Sequence, residues 1–291
     1  MADSYLFIIN PSSGTSIGQH PDKISKAIEN FVNNKGGNAQ IIFTEGRGHA
    51  TELVNQNIDK ENWRAIVAVG GDGTVNEVAK ALVNRSIPLG ILALGSGNGL
   101  ARHLGLPLTL DAGLSRIFSG SVNTIDSAEL NGIPFFCTAG MGFDAYVGHL
   151  FSKQHSRGLA TYLSVSLKSY WNYKPQTYKL NGKKIEVFSL SFANAGQYGN
   201  NAWVAPQASL FDGLLDICTI VPFPKWYGSN LTYKLFTKSL KPSSYVSYQL
   251  AQDAVVEADK PPMIHYDGEP LQLDTTRIEI KIKPKSLRVI V

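Results

Sequence analysis

Short apolar runs separated by stretches of helical spacing fill the first hundred residues. Tyr5–Ile9, Ala39–Phe43, Ala65–Val69 and Leu89–Leu94 are continuous runs of strand length. Between them, apolar positions three and four residues apart predict helices near Asp22–Val32 and His49–Gln56, over Val75, Val78, Ala79 and Leu82, and briefly from Asn98 to Leu104. Val-, Ile- and Leu-rich strands alternating with helices point to a parallel sheet covered on both faces. Ligands of such sheets sit at the carboxyl ends of the strands. The turns there are Asn10-Pro11-Ser12-Ser13-Gly14, Thr44-Glu45-Gly46-Arg47-Gly48, Gly70-Gly71-Asp72-Gly73-Thr74 and Gly95-Ser96-Gly97-Asn98-Gly99. All four are rich in Gly, Ser, Thr or Asn and together predict one polar, anion-binding rim.

Beyond Ser121 the pattern changes to β-type runs bounded by turns: Thr124–Leu130, Pro134–Ala139, Thr177–Leu180, Lys184–Asn194, Leu214–Val221, Ile264–Tyr266, Arg277–Ile282 and Leu287–Val291. They predict an antiparallel sheet domain, interrupted by helical stretches at Leu159–Tyr173 and Trp226–Leu240. The change of texture falls near Gly120-Ser121-Val122-Asn123.

With 291 residues, 43% hydrophobic and 17% charged, the chain is an ordinary globular protein long enough for two domains. A net charge of +4 is too small for a nucleic-acid footprint. Cys137 and Cys218 lie in apolar stretches and read as two buried free thiols, which fits a reducing compartment. The start, MADSYLFIINPSS, lacks the basic residues and length of a signal peptide, and no run approaches a membrane span of roughly 20 apolar residues. The expected location is cytoplasmic, with membrane touched only from the side.

Gly70–Thr74 joins strand to helix. Its glycines are expected to adopt backbone angles closed to other residues and to bring main-chain amides up to an anion, with Asp72 offering a carboxylate to a magnesium–phosphate complex. No Gly-Lys pair precedes Ser or Thr, which argues against a P-loop, and Leu100 stands where a dinucleotide fingerprint needs its third glycine. Asp267-Gly268-Glu269-Pro270 reads as a plain hairpin turn or as the carrier of a catalytic base. Ser209-Leu210-Phe211-Asp212-Gly213 reads as an Asp-Gly turn or as a metal loop built largely of carbonyls. Asp144, in the apolar stretch Met141–Ala145, needs a partner or caps a helix, and Asp126 is equally open. Lys168–Lys174, Lys225–Tyr227 and Tyr233–Lys238 mix aromatics with lysines, as a membrane interface does and as an ordinary helix with buried rings also does. The six histidines show no zinc spacing.

Asn10–Gly14, Gly70–Val78, Leu89–Asn98 and Asp267–Pro270, in this order and spacing, resemble the signatures of the diacylglycerol/sphingosine lipid kinase family, bacterial branch. Gly-Gly-Asp-Gly-Thr alone is shared with phosphofructokinases and NAD kinases; the first and last motifs make the match specific. The resemblance implies an α/β fold: a doubly wound nucleotide-binding domain over residues 1–122, a mainly antiparallel β-sandwich over 123–285, and a tail, 286–291, returning to the first domain. It implies ATP and lipid in a cleft between the domains. Nucleotide contacts carry over to Asn10, Thr44, Gly70, Gly71, Asp72, Gly73, Thr74, Asn76, Glu77, Ser96 and Asn98. Glu269 matches the proton acceptor, with Asp72 organising metal and nucleotide; Asp144 matches a residue facing the lipid head; Ser209, Asp212 and Leu214 match a magnesium site. Two departures stand out. Gly14–Gly18 lacks the lysine common in relatives, for which Arg47 or Arg102 would have to substitute, and Gly99 replaces an Asp of many bacterial diacylglycerol kinases.

The expected activity is ATP- and Mg2+-dependent phosphorylation of a lipid hydroxyl, diacylglycerol-like or sphingoid-like, by a cytoplasmic protein that meets the membrane peripherally. A soluble NAD kinase and a catalytically silent nucleotide-binding regulator are the alternatives.

Overall fold

Residues Ser4–Ile9 form β1 because five consecutive buried side chains, Tyr5 to Ile9, alternate between two covered faces. The computed structural model describes residues 2–13, 21–154 and 158–291; Gly14, the remainder of Gly14–Gly18, His20 and His155 lie outside the described residues. The chain divides into two compact units, Met1–Ile125 with Lys285–Val291, and Asp126–Pro284.

In the first unit β1 is followed by α1 (Pro21–Asn34), β2 (Asn38–Phe43), α2 (His49–Asn57), β3 (Trp63–Gly70), α3 (Asp72–Leu82), β4 (Leu89–Ala93), α4 (Gly99–His103) and α5 (Leu110–Ser119). The strands pair in parallel in the order β2-β1-β3-β4. Tyr5, Phe7, Ile9, Ala65, Val67 and Val69 meet Ile24 and Ile28 of α1 and Leu114 and Ile117 of α5. The alternate residues Leu6, Ile8, Ile66 and Ala68 are equally buried, on the face where α2 and α3 contact β1 and β3. Helix α5 has no counterpart in the sequence reading.

The second unit contains most of β5 (Val122–Leu130), then β6 (Ile133–Phe135), β7 (Thr138–Gly142), α6 (Phe143–Ser152), α7 (Leu159–Tyr170), β8 (Gln176–Leu180), β9 (Lys183–Val187), β10 (Ser189–Ala193), β11 (Leu215–Ile220), a 3-10 turn at Lys225–Tyr227 and α8 (Gly228–Phe236). Strands β12 (Val246–Ala251), β13 (Asp253–Ala258), β14 (Met263–Tyr266), β15 (Glu269–Gln272) and β16 (Arg277–Ile290) complete it, β16 ending in the first unit with Val289 opposite Leu89. One antiparallel sheet runs β12-β11-β10-β7-β14-β15, and a second joins β9, β8, β13 and β16, with β5 beside β16 and β6 beside β5. Phe192, Met141, Ile217 and Ile264 of the first meet Tyr178, Val187, Val256 and Ile280 of the second in one core. The α/β-then-sandwich architecture expected from the sequence is therefore present.

Four expected runs are divided differently. Pro134–Ala139 splits into β6 and β7, and Lys184–Asn194 into β9 and β10, which belong to different sheets, whereas Arg277–Ile282 and Leu287–Val291 are one strand. Cys137 and Cys218 are free and buried as expected. Among the described residues no helix is long and apolar enough to cross a membrane.

Candidate functional site

The Gly-rich turn after β3 is tighter than its sequence suggests. β3 ends at Gly70 and α3 begins at Asp72, with Gly71 between them at φ −94° and ψ −170°. Gly70, Gly71 and Gly73 are not in the left-handed region, so the expected use of unusual backbone angles is corrected: Gly70 is required for space, and a Cβ on Gly71 would press on the Cα of Gly95 at 3.3 Å. A Cβ on Gly70 would lie 2.6 Å from Thr74 Oγ1, and one on Gly95 2.5 Å from the Cα of Gly71. One on Gly97 would run into the Asp72 carboxylate. The turns after β3 and β4 therefore touch backbone to backbone.

Asp72 locks them together. Its Oδ2 accepts the N–H of Asn98 at 2.8 Å and its Oδ1 that of Gly99 at 2.6 Å. These are charge-assisted bonds from the amides that open α4, and the helix N-terminus favours the carboxylate. Arg102 adds a bond from Nε to the Gly97 carbonyl at 2.9 Å. Asn98 is left-handed, φ 54°, and donates from Nδ2 to Gly95 O at 2.8 Å; its buried Oδ1 has no hydrogen-bond partner among the described residues. From the neighbouring strand, Asn10 Nδ2 donates to Thr74 Oγ1 at 3.2 Å. Asn10, Gly70 to Thr74, Ser96 and Asn98 thus gather at the carboxyl ends of β1, β3 and β4. The N-cap of α3 is Gly71, which has no side chain to offer its first turn, and the amides of a helix N-terminus attract anions.

The remaining expected nucleotide residues hold other posts. Thr44 is buried just past β2, its N–H bonded to Ile9 O at 2.8 Å, and Asn76 is buried within α3. Glu77 accepts the N–H groups of Gly48 at 2.7 Å and Ala50 at 3.1 Å, so its carboxylate caps α2. Arg47 is exposed in that turn.

In the second unit Asp144 sits one residue inside the start of α6. It is not the helix N-cap, which is Gly142. Its Oδ2 meets His265 Nε2 at 3.0 Å and accepts from Ser191 Oγ and Tyr198 Oη at 3.1 Å each, and its Oδ1 accepts the Ala145 N–H at 2.9 Å. Burial first and the Asp144 charge second raise the hydroxyl pKa values of Tyr162, Tyr178 and Tyr198; in Tyr173 burial leads, followed by Tyr178 and Asp144. These phenols stay protonated around one carboxylate. The partners of Asp144 were not found by sequence reasoning, which established only that the carboxylate needed some. A separate cavity of about 440 Å³ is lined by Tyr146, Tyr173, Gln176, Tyr178, Asp259 and Lys260, and the buried Tyr173 hydroxyl has no hydrogen-bond partner among the described residues.

The hairpin from β14 to β15 turns at Asp267, φ 45°, and Gly268, φ 84°, with Tyr266 paired to Glu269. This is the two-residue turn that Asp-Gly favours. Asp267 is its anchor: Oδ2 accepts from Phe136 N at 2.8 Å, and Oδ1 from Cys137 N at 2.7 Å and Thr138 N at 3.1 Å. Glu269, half-buried, begins β15.

The loop before β11 holds the remaining expected residues. Ser209 Oγ accepts the Phe211 N–H at 3.2 Å, Asp212 Oδ1 accepts the Leu214 N–H at 3.0 Å, and the buried Asp126 accepts the Gly213 N–H at 2.7 Å. Nearby Asp216 has its pKa pushed up from 3.8 to about 6, by burial and then by the charge of Asp212. Asp212 and Asp216 are thus close enough for the charge of one to hold the proton on the other. Among the described residues no group of three or more His, Cys, Asp or Glu side chains gathers to hold a metal.

Asp216 keeps its proton to higher pH in the folded protein than in the unfolded chain. Without a cation, its contribution to stability therefore falls as pH rises from about 4 to about 6. Asp216→Asn is expected to gain about 1 kcal/mol over wild type at pH 7.5 and nothing at pH 4. Thermal unfolding at both pH values checks this; equal Tm values at pH 7.5 contradict it.

Comparison with known proteins follows the same division. The diacylglycerol kinase catalytic domain matches residues 4–130, and the YegS C-terminal NAD kinase beta sandwich-like domain matches residues 137–291. A probable lipid kinase YegS-like from Pseudomonas fluorescens is 32% identical over 262 residues, covering 87% of this chain and 86% of that one. An uncharacterized protein of Synechocystis is 30% identical over 309 residues, covering 97% of this chain and 69% of its own. A crystal structure of a putative diacylglycerol kinase from Bacillus anthracis superposes with a TM-score of 0.80 at 21% identity, over 99% of this chain and 96% of that one, which speaks to the fold. Its paired domain matches and its relatives place this chain in the YegS-like, diacylglycerol-kinase-type lipid kinase family.

Proposed function

We propose that this protein transfers the γ-phosphoryl group of ATP to the hydroxyl of a lipid. The observation that carries the reading is the locking of the Gly95–Gly99 turn onto Gly70–Thr74 by Asp72, beside the glycine-capped start of α3. Phosphoryl transfer needs fixed donors for phosphate charge more than it needs covalent chemistry by the protein. The amides of Gly71 to Thr74 would bind the phosphates, with Asn10, Ser96 and Asn98 completing the rim. Since both oxygens of Asp72 already accept amides, we assign it a positioning role in holding that rim.

Glu269 would take the proton from the acceptor hydroxyl as its oxygen bonds to the γ-phosphorus and the bond to ADP breaks. Mg2+, when bound, would supply positive charge to the phosphates. The tyrosine-lined cavity would take the apolar part of the lipid, and Asp144 with its three partners would meet the polar head.

The test offers purified protein γ-labelled ATP, Mg2+ and mixed micelles containing diacylglycerol, ceramide, a sphingoid base or undecaprenol, each alone. Label in the organic-phase product of at least one is expected, and the lipid that takes it identifies the head group. Label in none of them rejects the reading.

A further inference from the structure

His265 is a basic side chain built into the interior of the second unit. On β14 its neighbour Ile264 faces the core between the sheets, and His265, 3% exposed, faces the other way. It pairs across to Gly140 of β7, which pairs in turn to Ser191 of β10, so the three form one row over three strands. Helix α6 contacts β7 and β14 and sets Asp144 on that row. Gly140 leaves the space for it: a Cβ there would lie 2.7 Å from Asp144 Oδ2 and 3.0 Å from His265 Nε2. The ring of Tyr198 meets that of His265 edge-on, with centroids 5.7 Å apart.

An ionised carboxylate only accepts hydrogen bonds, so the proton between the two groups lies on His265 Nε2. The other ring nitrogen, Nδ1, is buried and has no hydrogen-bond partner among the described residues, so the bond to Asp144 is the one that orients the ring. Among the described residues His265 is the one basic side chain within ion-pair distance of Asp144. A lipid head brought to this carboxylate meets it already engaged. An uncharged hydroxyl needs only a lone pair, and Oδ1 accepts no more than the Ala145 N–H. An ammonium needs the negative charge itself. It must leave water for a carboxylate whose Oδ2 holds three partners, with the N–H of His265 directed at the same group.

We propose that His265 is a positioning residue that sets the charge of the accepted head group: by engaging Asp144 it favours a lipid whose head is an uncharged alcohol over one that carries an ammonium beside its hydroxyl. The assignment rests on the lipid-kinase reading, in which Asp144 meets the polar head. Its test offers three lipids in mixed micelles with γ-labelled ATP and Mg2+: a sphingoid base, its N-acetyl derivative, which shares the reacting hydroxyl and lacks the charge, and diacylglycerol. Wild type is expected to show kcat/KM at least about tenfold higher for the better of the two uncharged lipids than for the sphingoid base. His265→Leu and His265→Phe, which fill the space without a donor, should lower that ratio about tenfold through KM for the sphingoid base, and His265→Gln, which keeps an N–H, should restore it. A wild-type ratio of one or less overturns the proposal and leaves the lipid-kinase reading standing. So do Leu and Phe variants in which all lipids slow equally, the result expected of a histidine that only supports the fold. Label in none of the three lipids rejects that reading and the proposal with it.

Discussion

Replacing Glu269 by Gln is expected to slow phosphoryl transfer to lipid about 1,000-fold, within the range for losing a positioned general base, and to leave ATP affinity and Tm near wild type. The substitution keeps size and hydrogen-bonding capacity while removing the proton acceptor. The hairpin should survive, because the carboxylate that holds it is that of Asp267, bonded to three successive amides. Asp267→Ala gives the opposite pattern: stability lost by about 2 kcal/mol or more, because those amides lose a charged acceptor. Single-turnover rates, ATP titration calorimetry and thermal unfolding of both variants separate the roles. Rapid transfer by the Glu269→Gln protein would remove Glu269 as the base.

Gly95→Ala is expected to weaken ATP binding at least about 100-fold. The added methyl would lie 2.5 Å from the Cα of Gly71 and 2.9 Å from Asn98 Oδ1, and the first of these is backbone that cannot rotate aside. The two turns must separate, stretching the Asp72 bonds to Asn98 and Gly99 and moving the phosphate donors by a fraction of an ångström or more, a displacement costly in preorganised sites. Gly46→Ala supplies the control, since nothing lies within 4 Å of its new methyl and its φ is not positive. Calorimetry should show near-normal ATP binding for Gly46→Ala and almost none for Gly95→Ala. Equal binding by the two would mean that the interlocked turns do not form the nucleotide rim.

The first unit was largely legible because its strands are buried on both faces and so read as unbroken apolar runs. Helix α5 was missed because Gly113 interrupts its pattern, and the structure gives the reason: a Cβ there would come within 2.7 Å of Leu92, so the glycine allows close helix–strand packing. In the second unit, β12 exposes several of its side chains at a sheet edge, leaving a weak apolar signal. β9 and β10 merged in the sequence because the chain changes sheets at Phe188 without a turn residue to mark it.

Within the site, the local signals were the turns, and those after β1, β3 and β4 meet through Asn10 and Asp72. What sequence could not supply was the partner of each carboxylate. Asp72 looked like a metal ligand and is found holding amides 26 and 27 residues away, and Glu77 caps a helix through amides 29 and 27 residues back. Asp144 draws its partners from 47, 54 and 121 residues along the chain. No spacing rule reaches across such separations; only the fold brings those groups within 3 Å or so.

The central claim is that the phosphoryl acceptor is a lipid hydroxyl. Its most direct test is one reaction containing the purified protein, ATP, Mg2+, diacylglycerol and sphingoid base in mixed micelles, and NAD, with the products read by mass spectrometry. A lipid heavier by one phosphoryl group, formed in step with ADP and absent with Glu269→Gln, is the expected result; phosphorylated NAD, or no phosphorylated acceptor at all, would contradict it.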